Sequence, residues 1–296
     1  MKKLIVILAF LPLIYIGCTK EISVNFPAPP DLIVVEGHIE PGGYAYVILT
    51  KNAPYFAPTD TATLLTYLIL NATVIVSDGI QYDTMSITYD VVNFPYFPLV
   101  YEGHKIIGKP NHFYSLKVIA DGQTVTATTS IPSLVPLDST WFNVEGSLDS
   151  LGFVYGILHD PDTMGNCYRF MVKRISHFAD GTQKDLGFIT DINSVFTDKV
   201  FNGQTFDVDF NRPHLQHDTS AENHNIEDGY FKKGDTIVLK FIAIDNPQYN
   251  FWLTEGIAAQ GADNPFAAPT VVKSNIYGGL GIWGGYGTTY DTIFAK

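Results

Sequence analysis

The sequence has 296 residues, 46% of them hydrophobic and 14% aromatic, and a formal net charge of −12 at neutral pH. This hydrophobic content is typical of a folded globular protein rather than a disordered one. The negative charge would repel nucleic acid, which argues against a nucleic-acid-binding role. The two cysteines are too few for a disulfide framework or a thiolate zinc site.

The first 18 residues predict an exported lipoprotein. Two lysines precede an apolar run over residues 4–16, and the segment ends in Gly17-Cys18. A basic start, a short apolar run and a small residue before the cut describe a signal peptide, and the run is too short for a stable membrane span. Because a cysteine after a small residue resembles the bacterial lipoprotein processing site, we expect removal of residues 1–17 and lipidation of Cys18. The alternative is an ordinary signal peptide with an incidental cysteine.

Short β-strands with regular turns are predicted next. Residues 18–30 contain several prolines and read as an extended tether. Residues 72–77 alternate in polarity before an Asp-Gly turn, and residues 112–120 do the same before a second one. This pattern predicts an immunoglobulin-like β-sandwich over residues 31–131.

A second, larger β-domain is predicted over residues 137–296. Its strongest strands are expected within residues 153–158, 167–177 and 236–244. One short helix is expected near residues 247–260, because Asp245 or Asn246 can cap it and a proline suits its first turn. The predicted fold class is therefore all-β, with one short helix. We interpret Cys167 as a small apolar strand residue, the alternative being a catalytic thiol.

Several motifs resemble a known family. They are Val34-Val35-Glu36-Gly37, an Asn-Pro-Phe at residues 264–266, Ser274-Asn275-Ile276, and the glycine-rich residues 278–283. Together they resemble the Bacteroidota outer-membrane lipoprotein family known as domain of unknown function 4249, most specifically over residues 264–286. The resemblance implies an outer-membrane lipoprotein at the cell surface. Because members are typically encoded beside TonB-dependent transporters, it also implies a β-barrel partner. It implies no catalytic residues, since none are established for the family.

One segment has residues that commonly bind metal ions. On a helix, His214 and His217 would share a face, and Asp218 could add a third ligand. Pro213 and the polar residues around it favour a solvated loop, and no His-Glu-x-x-His motif is present. We therefore predict no metal site, and keep these three residues as weak candidates.

A second weak candidate is the pair Asp207 and Asp209. On a strand the two carboxylates would share a face, where they could bind calcium or serve glycoside hydrolysis. The alternative is a strand with one solvated and one buried face. The sequence also lacks a Gly-x-Ser-x-Gly elbow, a Walker loop and a Rossmann fingerprint. We therefore predict no cofactor and no enzymatic activity.

Aromatic residues in a predicted loop suggest a surface for a partner. Phe94, Tyr96 and Phe97 stand among prolines outside any alternating strand, and such apolar patches often mark protein interfaces. The alternative is a loop folded onto its own sandwich. For Trp283 and Tyr286 we expect core packing rather than ligand stacking.

These observations favour a lipid-anchored accessory or binding subunit of an outer-membrane TonB-dependent transporter, contributing to nutrient capture or uptake. Two alternatives stay open. One is a surface hydrolase using the Asp207/Asp209 or His214/His217/Asp218 side chains, and the other is a structural or adhesive surface module.

Overall fold

The computed structural model describes residues 30–53, 60–95, 98–146, 148–192, 194–213, 227, 229–261 and 270–296. Cys18 and the predicted leader and tether therefore lie outside the described residues, apart from Pro30. Residues Asp31–Lys296 form one compact unit. The division of this unit at residues 132–136 stays a prediction.

Two sheets are built mainly from the first half of the chain. Their strands are β1 (Ile33–Ile39), β2 (Tyr46–Lys51), β3 (Thr73–Ser77), β4 (Tyr82–Thr84), β5 (Ser86–Tyr89), β6 (Leu99–Glu102), β7 (Phe113–Ala120) and β8 (Gln123–Ser130). The first sheet has the order β16-β1-β2-β6-β5, where β16 (Leu280–Gly285) comes from the C-terminal region. The second sheet has the order β4-β3-β7-β8. A six-residue helix that the sequence did not predict, α1 (Thr61–Thr66), lies between β2 and β3.

The first two sheets share one hydrophobic core. Strand β7 alternates between exposed and buried residues, so that Tyr114, Leu116 and Val118 point into this core. Trp283 is fully buried there, and its indole nitrogen donates a hydrogen bond to the Tyr114 carbonyl at 3.0 Å. The expectation that Trp283 packs in the core is confirmed.

Two further sheets come from the second half of the chain. Their strands are β9 (Leu137–Val144), β10 (Leu151–His159), β11 (Cys167–Arg174), β12 (Val195–Thr197), β13 (Thr205–Phe210), β14 (Phe231–Lys232), β15 (Thr236–Ile244) and β17 (Gly287–Phe294). The third sheet has the order β13-β10-β14, with β9 also paired to β10. The fourth sheet has the order β12-β11-β15-β17, and its large buried residues include Tyr168 and Phe241.

A network of buried ion pairs connects several segments in the second half of the chain. Arg174 is 1% exposed, and its guanidinium group bonds Asp185 at 2.9 Å and Glu227 at 2.6 Å. Lys184 bonds both Glu227 and Asp235 at 2.9 Å. Burial alone would raise the pKa of Asp185, but hydrogen bonds from Arg174 hold it below its ordinary value.

The last strands connect the first sheet to the fourth. Strand β16 pairs in parallel with β1, and β17 then pairs antiparallel with β15, so Tyr286 lies where the chain passes between sheets. Close backbone contact along this segment requires glycine. A Cβ atom on Gly281 would lie 1.9 Å from the Val35 carbonyl oxygen, and the φ of Gly281 is +103°.

The predicted helix is present as α2 (Asn246–Gly261). The Asp245 carboxylate accepts a hydrogen bond from the Gln248 amide at 3.0 Å and so caps its first turn. The Gln248 side chain is fully buried and donates to the Gly285 carbonyl, which holds α2 against β16. The predicted all-β class is confirmed. Within the described residues, neither helix combines the length and the apolar character that crossing a membrane requires.

Candidate functional site

Strand β1 carries an unusual row of ionisable residues. Glu36 and His38 alternate with Val35 and Ile39 on β1, and Glu40 follows directly after the strand, so all three lie on the same side of the first sheet. Val35 and Ile39 point into the shared hydrophobic core. The polar face of β1 therefore turns away from that core, and it lines a cavity of about 560 Å³.

The opposite wall of the cavity belongs to the fourth sheet. Met171, Lys240 and Tyr290 stand side by side on β11, β15 and β17, and all three line the cavity together with Arg169. The volume falls within the range of small-molecule binding sites, roughly 300–1,000 Å³. We refer to this space as the inter-sheet cavity.

One part of the inter-sheet cavity contains a paired cation and anion. The Lys240 ammonium donates a short hydrogen bond to Glu40, and the Tyr290 hydroxyl donates to the other oxygen of Glu40 at 3.0 Å. The ammonium also lies 5.5 to 5.8 Å from the ring centres of Phe188, Tyr286 and Tyr290. Burial alone would raise the pKa of Glu40, but Lys240 keeps it below its ordinary value. Glu40 is therefore ionised at neutral pH, with both oxygens already bonded.

His38 is neutral at neutral pH. Its ring stacks on Tyr286, with ring centres 5.1 Å apart and an angle of 11° between the planes. Its Nε2 lies 3.7 Å from a Glu40 oxygen. Burial lowers the pKa of His38 to about 4, with the charges of Lys240 and Arg169 acting in the same direction. The imidazole thus adds a polar surface to the cavity without adding charge.

Another part of the cavity contains charges that are not paired. Arg169 is 4% exposed, and its guanidinium carbon lies 3.5 Å from the ring centre of Trp252. Its Nη1 donates to the Tyr286 hydroxyl at 3.2 Å, while its Nε has no hydrogen-bond partner among the described residues. Burial raises the pKa of Tyr286 to about 12, so this tyrosine stays protonated.

Glu36 faces the same region of the cavity. The surrounding protein raises the pKa of its carboxyl group, the charge of Arg169 opposes that rise and the charge of Glu255 adds to it. The residue is nevertheless exposed to solvent, since the cavity is open, so the shift is smaller than full burial would give. Even so, Glu36 and Arg169 form no ion pair within 4 Å, and none of the described side chains is hydrogen-bonded to Glu36. Counting only contacts among the described residues, the cavity therefore holds one acceptor and one cation whose bonding capacity is not filled.

The candidates identified from the sequence lie elsewhere or at the cavity's edge. Asp207 and Asp209 alternate with buried or half-buried residues on β13 and are exposed on the third sheet. His214, His217 and Asp218 lie outside the described residues. In the part of the chain that is described, no group of three or more His, Cys, Asp or Glu side chains is arranged to hold a metal ion.

Two aromatic residues considered in the sequence analysis, Phe94 and Tyr286, line the cavity. Phe94 lines it, with its ring centre 5.1 Å from that of Tyr46, whereas Tyr96 and Phe97 lie outside the described residues. Tyr286 packs in a buried cluster, as expected, but one side of it also lines the cavity.

Cys167 lies on β11 and is buried, which confirms its interpretation as an apolar strand residue. Burial raises the pKa of its thiol to about 11, so the thiolate is scarce at neutral pH.

Sequence reasoning missed the charged residues of the cavity. Glu36 and His38 alternate within an apolar strand, Glu40 follows directly after it, and Lys240 interrupts a strand that is otherwise almost wholly apolar. A charged residue inside a buried strand needs a partner or a function. These charged residues within apolar strands were visible in the sequence, but the sequence did not show that β1 and β15 would face the same cavity.

The fold and the site define a class: an all-β protein with an aromatic-lined cavity between two sheets that contains both carboxylates and cations. The model of the family described as Domain of unknown function (DUF4249) matches residues 19–292, and this chain belongs to that family. No curated protein matches the chain.

Proposed function

We propose that the protein is a binding protein whose small-molecule ligand occupies the inter-sheet cavity. The observation that carries this proposal is the cavity itself, in which charged groups with unfilled bonding capacity are surrounded by aromatic rings. Burying charges away from water costs free energy, and that cost is offset when a ligand supplies the missing partners. Concave sites with a few well-placed polar groups are typical of ligand binding.

For His38, Tyr286 and Tyr290, the pKa values favour binding over acid–base catalysis; Glu36, whose pKa is raised, is not one of these groups. A catalytic acid or base works best when its pKa lies near the operating pH. Here the pKa of His38 is lowered to about 4, that of Tyr286 is raised to about 12, and that of Tyr290 is also raised. All three are moved away from neutrality, so each holds one protonation state and serves as a fixed hydrogen-bonding group.

A blocked cavity provides the test. Gly43 lines the cavity, and an added Cβ atom would meet nothing closer than the Glu40 carbonyl at 3.8 Å, so Gly43→Phe should fill space without distorting the backbone. The matched control is Lys117→Phe, on the exposed face of β7. Full-length protein in mild detergent would be screened by thermal shift against small nutrients. We expect ligands that stabilise the wild type and the control but not Gly43→Phe; equal stabilisation of all three would refute the cavity as the site.

The cellular setting is a second part of the proposal. We propose that Cys18 is lipidated, that the protein lies at the outer membrane on the cell surface, and that it acts as a binding subunit beside a TonB-dependent transporter. The family resemblance supports this setting, and the binding cavity supplies a reason for it, because a tethered binding protein raises the local concentration of ligand near a transporter.

Native purification tests this setting. Palmitate labelling of the wild type and of Cys18→Ser should show lipid only in the wild type. Mild-detergent purification followed by mass spectrometry should recover a β-barrel transporter in stoichiometric amounts. Recovery of the lipidated protein without a barrel would contradict the transporter role and leave the ligand-binding role standing.

A further inference from the structure

The charges that face the inter-sheet cavity restrict the chemistry of its ligand. Glu36 and Glu40 are acidic, Arg169 and Lys240 are basic, and all four line the cavity. Their formal charges sum to zero. Glu40 and Lys240 satisfy each other through a direct ion pair. Glu255 acts electrostatically on Glu36 and Arg169, but it does not line the cavity and forms no ion pair with Arg169 within 4 Å. Among the described lining residues, one negative and one positive group, Glu36 and Arg169, are therefore left for a ligand.

A ligand with a single charge would match only one of these two groups. A cation placed on Glu36 would meet repulsion from Arg169, whereas an anion placed on Arg169 would meet repulsion from Glu36. Between two protein sheets, charge is screened less than in bulk water, so either mismatch costs free energy. A neutral, wholly apolar ligand would leave the Arg169 Nε without an acceptor, which is also unfavourable.

We propose that the ligand is a zwitterion with a free ammonium group, a free carboxylate and an apolar or aromatic side group, as in an amino acid or a short peptide. The inference rests on the proposed binding function. The ammonium would pair with Glu36, and the carboxylate would accept hydrogen bonds from the Arg169 guanidinium, whose planar donors suit a carboxylate. The side group would contact Phe94 and Tyr46, whose rings line the same cavity.

Other features of the site fit this assignment. Trp252 stacks on Arg169, and the Tyr286 hydroxyl accepts from its Nη1, so the guanidinium is held in place before the ligand arrives. Such preorganisation lowers the entropic cost of binding. The cavity volume of about 560 Å³ leaves room for an amino acid or a short peptide.

Capped ligands test each charge separately. The probes are phenylalanine and phenylalanyl-glycine, each with free termini, with an acetylated amine, with an amidated carboxylate, or with both caps. Binding to full-length protein in mild detergent would be measured by calorimetry. We expect each cap to weaken binding about tenfold or more. The amino acid and the dipeptide distinguish the two sources of the same chemistry.

Two variants assign the charges to residues. In Glu36→Gln, acetylation of the amine should no longer matter, while amidation of the carboxylate should still weaken binding. In Arg169→Gln the pattern should reverse. The control Glu145→Gln, at an exposed position outside the cavity, should bind all probes as the wild type does. Glu36→Gln alone keeps the test decisive if Arg169→Gln does not fold.

The outcomes separate this inference from the proposed function. If free and capped probes bind equally well, and Gly43→Phe abolishes that binding, the cavity binds ligands but does not recognise a zwitterion. If both variants weaken every probe by the same factor, their role is structural and the inference is wrong. If no probe binds while another nutrient binds in a manner that Gly43→Phe abolishes, the inference falls and the proposed function stands.

Discussion

Acidification should destabilise the protein through His38. The pKa of this histidine is about 4 in the folded protein, against 6.5 for an unperturbed histidine, chiefly because it is buried. Between these two pH values the His38 side chain is largely protonated in the unfolded chain and largely neutral in the folded protein. The stabilising contribution is therefore fully present above pH 6.5 and is lost as the pH falls towards 4.

The size of the effect follows from the two pKa values. Each pKa unit corresponds to about 1.4 kcal/mol, so the difference between the two pKa values of His38 changes the free energy of unfolding by about 3 kcal/mol in total. Of this, about 2 kcal/mol is lost between pH 7 and pH 5. A quarter of the His38 side chain is still reached by solvent from the cavity, which makes this value a ceiling. Glu40 raises the pKa of His38, and Lys240 and Arg169 lower it. Removal of either cation would therefore bring the folded pKa closer to 6.5 and reduce the loss of stability in acid.

Urea denaturation at pH 7 and pH 5 provides the assay. The wild type should lose more free energy of unfolding than His38→Gln, by up to about 2 kcal/mol. His112→Gln, an exposed histidine, should behave as the wild type does. An NMR titration of the His38 ring gives the folded pKa directly. Equal pH dependence of the wild type and His38→Gln, or a measured pKa near 6.5, would refute the reasoning.

Three further predictions concern stability and reactivity. Arg174→Met should lower the free energy of unfolding by about 3–5 kcal/mol, because it leaves buried carboxylates unpaired. The control Lys173→Met should lower it by less than about 1 kcal/mol. Similar urea midpoints for the two variants would contradict a stabilising role for the Arg174 ion pairs. Gly281→Ala should lower the free energy of unfolding by at least about 2 kcal/mol, because Gly281 has a positive φ and a close contact with the backbone of β1. Gly43→Ala should leave it nearly unchanged. A small loss for Gly281→Ala would show that the backbone of β16 can shift to accept a side chain. In a variant without the other cysteine, Cys167 should react with a thiol reagent only after unfolding, and rapid labelling of the native protein at pH 7 would show that the thiol is accessible.

Local patterns in the sequence predicted local structure well. The alternating residues 112–120 form β7, and the Asp-Gly turn after them has both residues at positive φ, as a tight two-residue hairpin requires. The helix expected at residues 247–260 is α2, with Asp245 as its cap. In each case the signal lies within a few neighbouring residues, where periodicity and capping act.

Long-range pairings were not predictable in this way. Nothing in the period of residues 280–285 indicates that they pair in parallel with β1, which lies far earlier in the chain. The candidate site depends on that arrangement, because Glu36, Arg169 and Lys240 come from three distant strands. Each residue looks like an isolated charge in the sequence, and only the assembled sheets show that they face one cavity.

The parallel pairing of β1 with β16 also affects how the protein is made. Until β16 has been synthesised, one side of β1 has no neighbour, and an unpaired strand edge readily joins other chains. Contacts between such distant segments also form slowly. A partly folded chain that lacks the last strands would therefore present an open, aggregation-prone edge at β1, and we expect it to need chaperone protection until those strands are in place.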